Sequence, residues 1–406
     1  MKTPPKLPFF EFVALMATMM ALAALSTDAM LPALRDIGDT LGVQTGNATQ
    51  LVVSFLFLGM AAGQIAYGPV SDSFGRKPAI YVGYGLFIAG CLLSIFAPNF
   101  SVMLAGRLLQ GVGIAGPRSV TLALVRDQYE GRAMARVMSF VMVVFILVPV
   151  IAPTFGQAIL LIASWRAIFG ALLGLALLSV LWFAVRHPET LPVQRRIPFS
   201  LQRIWKAIVE ICTHRVAFGY TVSAGFVSGA FMGYLNSAQQ IFQEQYGLGT
   251  QFPLYFAIVA LALGGASFTN GRLVMRFGMR ALSGWAVVGL VAFSLVFLGY
   301  AFLLGDDPSL PILMTYLMTS FFSVGILFGN LNTLAMEPLG HIAGVGAAVV
   351  GSLSTFISVP LGIWIGQGYN GTILPLVGGF AGLSVLSLGV MRWAEGRKVA
   401  QLGTSS

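Results

Sequence analysis

The hydrophobic positions of this chain come in blocks rather than at the spacing of a surface helix or strand. Runs such as 9–33, 50–70 and 282–304 carry few charges. A bilayer core about 30 Å thick takes roughly 20 helical residues to cross. Twelve segments reach that length: 9–32, 49–70, 78–97, 101–125, 135–160, 165–185, 216–237, 252–271, 281–304, 310–334, 343–367 and 371–391. A barrel strand would be about ten strictly alternating residues, which these blocks are not. The pattern predicts an all-α membrane protein with 12 transmembrane helices. The first run follows Lys2 and Lys6 but exceeds the roughly 7–15 apolar residues of a signal peptide, so it reads as the first span.

The blocks divide into six and six around one polar stretch between Val185 and Val216, which holds basic and acidic residues and three prolines. This predicts an N-terminal six-helix bundle (1–185), a cytoplasmic linker (186–215) and a C-terminal six-helix bundle (216–406). From Ser200 the linker has the pattern of a short amphipathic helix with Trp205 and Ile208 on its apolar side; a solvated linker is the competing reading. The halves also echo one another. "GPVSDSFGRK" at 68 and "GRLVMRFGMR" at 271 align Gly68 with Gly271, Phe74 with Phe277 and Gly75 with Gly278, an offset of 203. Both stretches join the second and third helices of their half. Two related six-helix bundles describe a transporter with a site near the membrane midplane.

Composition changes the picture little: the chain is 57% hydrophobic and 9% charged. Its net charge of +9 does not read as a nucleic-acid footprint. With the N-terminus in the cytoplasm, 19 of the 23 Lys and Arg fall on that side. Arg35 and Arg166 fall outside, and Arg107 and Arg118 within the fourth helix. That bias is topogenic and places both termini in the cytoplasm. Two cysteines in different environments and three scattered histidines offer no disulfide or metal framework. No phosphate-binding Gly-x-x-x-x-Gly-Lys-Ser/Thr loop is present, so direct ATP coupling has no support in the sequence; no cofactor is expected, with a proton as the coupling ion.

The loop at 68–77 concentrates charge where the chain is otherwise poor in it. Gly68 permits close helix approach, and Gly75 supplies a positive φ for a tight turn. Asp72 is placed to bind Arg76, or Arg132 and Arg136 of the next loop on that side, or to face a helix N-terminus. With Lys77 this makes a cytoplasmic gate; static topogenic charge is the plainer alternative. In the second half Met275 stands where the acid would be, so its latch is expected to be weaker or absent.

Gly68, Asp72, Gly75, Arg76 and Lys77 resemble the G-x-x-x-D-x-x-G-R-R/K loop of the major facilitator superfamily. "RLLQGVGIAG" (107–116) resembles that superfamily's R-x-x-Q-G fourth-helix motif, and "VPVIAPTFGQ" (148–157) a degraded form of its fifth-helix antiporter motif. "LSTDAMLPAL" (25–34), "GQIAYGPVSDSFGRKP" (63–78) and "SWRAIF" (164–169) resemble the bicyclomycin-resistance (Bcr/CflA) branch of drug:proton antiporters. The resemblance implies a 12-helix major facilitator fold in the inner membrane and export of drugs such as bicyclomycin, phenicols or sulfonamides.

Charges at membrane depth are functional by default. Asp28 is the acid inside an apolar run of the first half; it and Arg107 each lie about six residues from an outer helix end, roughly 9 Å deep at 1.5 Å per residue. They are expected to meet, Asp28 carrying the proton and Arg107 tuning it; a fixed structural ion pair is the alternative. Arg118 is a candidate for an anionic or carbonyl-rich cargo, or a snorkelling side chain. Gln64, Asn236, Asn330 and Asn332 are candidate cavity residues or helix-to-helix glue. Phe226, Phe231 and Tyr234 are candidates for an apolar cargo wall. Pro149, Pro153 and Gly156 are expected to bend the fifth span and pack it against the other half.

These features predict a secondary transporter working as a monomer in the bilayer, exchanging protons for a small amphipathic cargo by alternating access. A proton-coupled or facilitative importer of a metabolite is the runner-up. A membrane sensor is the reading from another class, and no catalytic constellation suggests an enzyme.

Overall fold

The structure is a computed structural model that describes residues 7–305 and 307–396. Lys2, Lys6 and both termini lie outside the described residues. Fourteen α-helices occur among the described residues, and no strand does. Twelve are long: α1 (Phe9–Asp28), α3 (Leu51–Phe74), α4 (Arg76–Ile95), α5 (Phe100–Gln128), α6 (Gly131–Leu160), α7 (Arg166–Arg186), α9 (Arg215–Gln239), α10 (Phe252–Phe277), α11 (Met279–Leu304), α12 (Leu310–Met336), α13 (Ala343–Gln367) and α14 (Leu374–Glu395). Two are short, α2 (Leu34–Thr40) and α8 (Leu201–Thr213). By length and apolarity they provide 11 membrane-spanning runs, one of which, Leu310–Gln367, contains both α12 and α13. The expected all-α, 12-helix architecture is therefore what the chain adopts.

The chain divides into two units, Met1–Leu201 and Gln202–Ser406. The first holds α1–α7, with α5 packed along α3 and α4. Small residues set that spacing, as they do wherever apolar helices lack a hydrophobic drive to associate. A Cβ on Gly59 would lie 2.1 Å from the Leu108 carbonyl, and one on Gly111 would lie 2.0 Å from that of Leu56. The close approach of α3 therefore occurs at Gly59 and Gly63, about one and a half to two and a half turns before Gly68. In the second unit α9 packs on α13 and α14, and α12 on α10 and α11. An aromatic cluster built on Tyr234, Phe256, Phe321 and Phe380 fills its interior.

The internal repeat is visible in the backbone. Gly75 (φ 110°) ends α3 and begins α4; Gly278 (φ 78°) ends α10 and begins α11. Each donates its N–H to a carbonyl four residues back, Ser71 and Val274 respectively. A residue with a Cβ is strained at such φ values, which is why both copies keep glycine.

Candidate functional site

Two regions of the first unit bring the singled-out residues together. The first is the C-terminal end of α1. Asp28, the last residue of α1, is 5% exposed, and its carboxylate makes no hydrogen bond or ion pair among the described residues. Arg107 does not meet it. Its fully buried guanidinium donates to the Ser26 carbonyl (2.8 Å), the Val52 carbonyl (2.9 Å) and Gln110 Oε1 (2.7 Å), and lies 5.7 Å from the centre of the Phe169 ring. The expected pair is replaced by a cation held on backbone oxygens, two residues before the acid. Such acceptors leave no trace in side-chain sequence, so spacing alone suggested the wrong partner.

Gly156 completes this end. A Cβ there would lie 2.0 Å from the Ala29 carbonyl oxygen, one residue past Asp28. Gly156 thus packs against the end of α1 in its own unit. Helix α6 stays continuous through Pro149 and Pro153. A groove of about 380 Å³ follows α1, lined by Ala14, Ala17, Ala21 and Leu25 together with Val144 of α6 and Leu175 of α7. Positions 14, 21 and 28 share one face of α1, so Asp28 lies about one turn beyond Leu25, the last residue of α1 that lines the groove.

The second region is the α3–α4 turn. Arg76, 7% exposed, bonds Asp72 within its own turn, Asp127 at the end of α5 (Nε to Oδ2, 3.0 Å) and Ser71 Oγ (2.9 Å). Glu189, beyond α7, accepts from the Arg76 and Lys77 backbone N–H groups (3.0 and 2.9 Å), capping the positive end of α4. Lys77 Nζ donates to the carbonyls of Ala184 (3.2 Å) and His187 (2.7 Å). Thr190 donates to Asp127, and the Ile197 N–H to the Asp72 carbonyl. The start of the linker is therefore strapped across the turn. The expected partners Arg132 and Arg136 are elsewhere: Arg132 is exposed and makes no ion pair among the described residues, and Arg136 stacks 4.9 Å from the Phe9 ring centre. The helix N-terminus expected to face Asp72 is served by Glu189 instead.

The second unit has its own cluster, which the Met275 argument missed. Arg280 at the start of α11 bonds Glu337 at the end of α12 and Glu395 at the end of α14 (3.2 Å), and Tyr220 donates to Glu395. In both units a base at the start of the third long helix meets an acid at the end of the fourth. The 203-residue offset from Asp127 and Glu189 leads to Asn330 and Arg392, so the acids are not visible as a repeat.

The remaining candidates fall as follows. Asn330 exchanges two 2.9 Å hydrogen bonds with Asn270 and is committed to the seam of α12 with α10 rather than to a cavity. Asn332 is exposed and donates to its own helix at Phe328. Tyr234 is buried inside the aromatic cluster rather than on a wall, and Phe231 packs on Phe321 and Phe328. Asn236 is buried on α9, whereas Gln64 of α3, Phe226 of α9 and Arg118 of α5 are half-buried.

Two repeated units of long apolar helices, each turning on a positive-φ glycine between its second and third span, define a multi-pass membrane transporter. The chain belongs to the Major Facilitator Superfamily, whose family model matches residues 14–363. It is 32% identical over 343 residues to the uncharacterized MFS-type transporter YdgK of Bacillus subtilis, covering 84% of each chain. It is 27% identical to the bicyclomycin resistance protein homolog of Haemophilus influenzae, covering 91% of this chain and 92% of that one. Its fold resembles the partially occluded inward-open xylose transporter XylE of Escherichia coli, with a TM-score of 0.69 at 13% identity over 94% of this chain and 97% of that one. The expected resemblance to the bicyclomycin-resistance branch thus holds, and the protein is a transporter rather than an enzyme.

Proposed function

We propose that this protein exports small amphipathic organic compounds across a bacterial inner membrane in exchange for protons, with both termini in the cytoplasm. The observation that carries the reading is Asp28: a buried carboxylate with no partner among the described residues, on the same face of α1 as Ala14 and Ala21, which line an apolar groove. A charge there is costly inside a membrane unless a proton or a cargo group accompanies it. A carboxyl that binds one or the other, but not both, couples their movements. Arg107 keeps its own charge satisfied on carbonyl oxygens and fixes α1 and α3 around the acid.

The relatives support drug-type cargo, since one is named a bicyclomycin resistance protein homolog and another, from Escherichia coli, multidrug resistance protein D. The Arg76 cluster with Asp72, Asp127 and Glu189 serves as the cytoplasmic latch, which opens and re-forms during alternating access. Arg280 with Glu337 and Glu395 does the same in the second unit. The test is expression in a bacterium stripped of its own efflux pumps. Export predicts resistance and lowered intracellular drug, both lost with Asp28→Asn at equal membrane expression. Accumulation of the drug instead would identify an importer and overturn the reading.

A further inference from the structure

The two units close the same seam differently. In the second unit the first span, α9, packs tightly on the fifth, α13. Cβ atoms on Gly225 and Gly233 would lie 2.7 Å from the side chains of Ile357 and Ile365 respectively. One on Gly379 of the sixth span, α14, would lie 2.5 Å from Ile365. The counterparts in the first unit are α1, α6 and α7. There α6 and α7 each pack on α1 but little on one another, and the groove of about 380 Å³ stays open along the seam. Its floor is Ala14, Ala17 and Ala21. Beyond Leu25, the last lining residue of α1, Gly156 brings α6 down onto Ala29 and closes that end.

Three observations say what fills it. The flanking helices expose apolar residues, Val143 and Leu147 from α6 and Leu178 and Leu181 from α7, so the groove lies between lipid-facing surfaces. Its length suits one leaflet. Ala14 to Leu25 spans about 16 Å of helix at 1.5 Å per residue, and half of a 30 Å hydrocarbon core is about 15 Å. The charge at the open end is positive. Arg136 of α6 is exposed and lies over the Phe9 ring, a contact that leaves its charge available to an anion. Glu11 of α1 is already matched by Arg186 of α7, through bonds of 2.6 and 2.8 Å. Glu130 and Arg132, both exposed at the start of α6, oppose one another in charge.

We propose that this groove seats one acyl chain of a phospholipid from the leaflet at the Arg136 end, with the anionic headgroup on Arg136. Basic residues between membrane helices hold anionic headgroups in this way. The chain supplies in the first unit the packing that Ile357 and Ile365 supply in the second. The site is separate from Asp28 and stands whichever cargo the protein moves. A bound lipid sets how α1 rests on α6 and α7, so lipid composition acts on the helix that ends in Asp28.

The test uses the full chain in nanodiscs. Phosphatidylglycerol or phosphatidylcholine carries a photoactivatable diazirine at mid-chain, and mass spectrometry maps the labelled residues. Bulk lipid reaches Val143, Leu147, Leu178 and Leu181, whereas Ala17 is 5% exposed and Leu22 2%. The expected result is label on residues 17–25 of α1, saturating at one lipid per chain and richer from phosphatidylglycerol. Arg136→Gln should lower that preference by up to about fivefold. Ala14→Leu and, separately, Ala21→Leu fill the floor and should abolish the α1 label while the outward residues of α6 and α7 label as in wild type. Label confined to those outward residues in wild type would overturn the proposal. So would equal labelling of α1 by both lipids, or a preference that Arg136→Gln leaves intact. Loss of the α1 label on adding bicyclomycin or a phenicol would make the groove a cargo site and overturn it as well.

Discussion

At Gly156 the room for a single methyl group decides how near α6 comes to Asp28. Gly156→Ala places a Cβ 2.0 Å from the Ala29 carbonyl oxygen, a contact that forces the helices apart. Overpacking of this kind costs about 1–3 kcal/mol. We expect a lower melting temperature in detergent and a loss of transport larger than the loss of folded protein, as read by size-exclusion yield against drug efflux. Arg107→Lys is a second residue-scale case. It keeps the charge but lacks the fork that reaches two carbonyls and Gln110 at once, leaving buried acceptors unpaired at about 1–3 kcal/mol. Thermal unfolding and transport should both fall, and Arg107→Leu should be worse. Asp28 was legible in the sequence because an acid inside an apolar run has few bland explanations. Its isolation was not, because Arg107 is satisfied by Ser26 and Val52 backbone oxygens.

At the scale of elements, the spans were readable because bilayer thickness imposes a length on every apolar run, and helix ends differ from the expected ones by a few residues. The contacts that close the α3–α4 turn were not readable. Asp127 and Glu189 lie 51 and 113 positions from Arg76, and nothing local marks them as its partners. Gly75→Ala adds a side chain at φ 110° with its Cβ 2.7 Å from Glu189 Oε2. A strained φ costs about 1–3 kcal/mol. The start of the linker should detach, seen as faster proteolysis near residues 187–197. That segment should also respond to acid. Burial pushes the His187 imidazole below its usual range, while its bond to the Pro188 carbonyl partly opposes this. A base held neutral in the fold binds fewer protons than in the unfolded chain, so its docking is stable above a pH of about 6.5 and weakens as pH falls through that value. The protection of the amides of residues 187 and 189–191, taken relative to their intrinsic exchange rate at each pH, should fall below that pH in wild type and lose the dependence in His187→Asn.

For the whole molecule, the 203-residue echo of a glycine turn was enough to expect two related bundles, and Gly75 and Gly278 adopt the same left-handed backbone. The second charge cluster escaped because its acids are offset from the repeat. Coupling belongs to this scale, since it joins a proton on one residue to movement of the entire transporter. The most direct measurement places the purified protein in liposomes with a pH-sensitive dye inside, imposes a pH gradient, and adds bicyclomycin or a phenicol to wild type and Asp28→Asn. The account predicts cargo-dependent proton flux in wild type that disappears in the variant, although the variant remains folded. Equal flux in both would contradict the assignment of the proton to Asp28, and cargo movement without proton flux would contradict exchange itself.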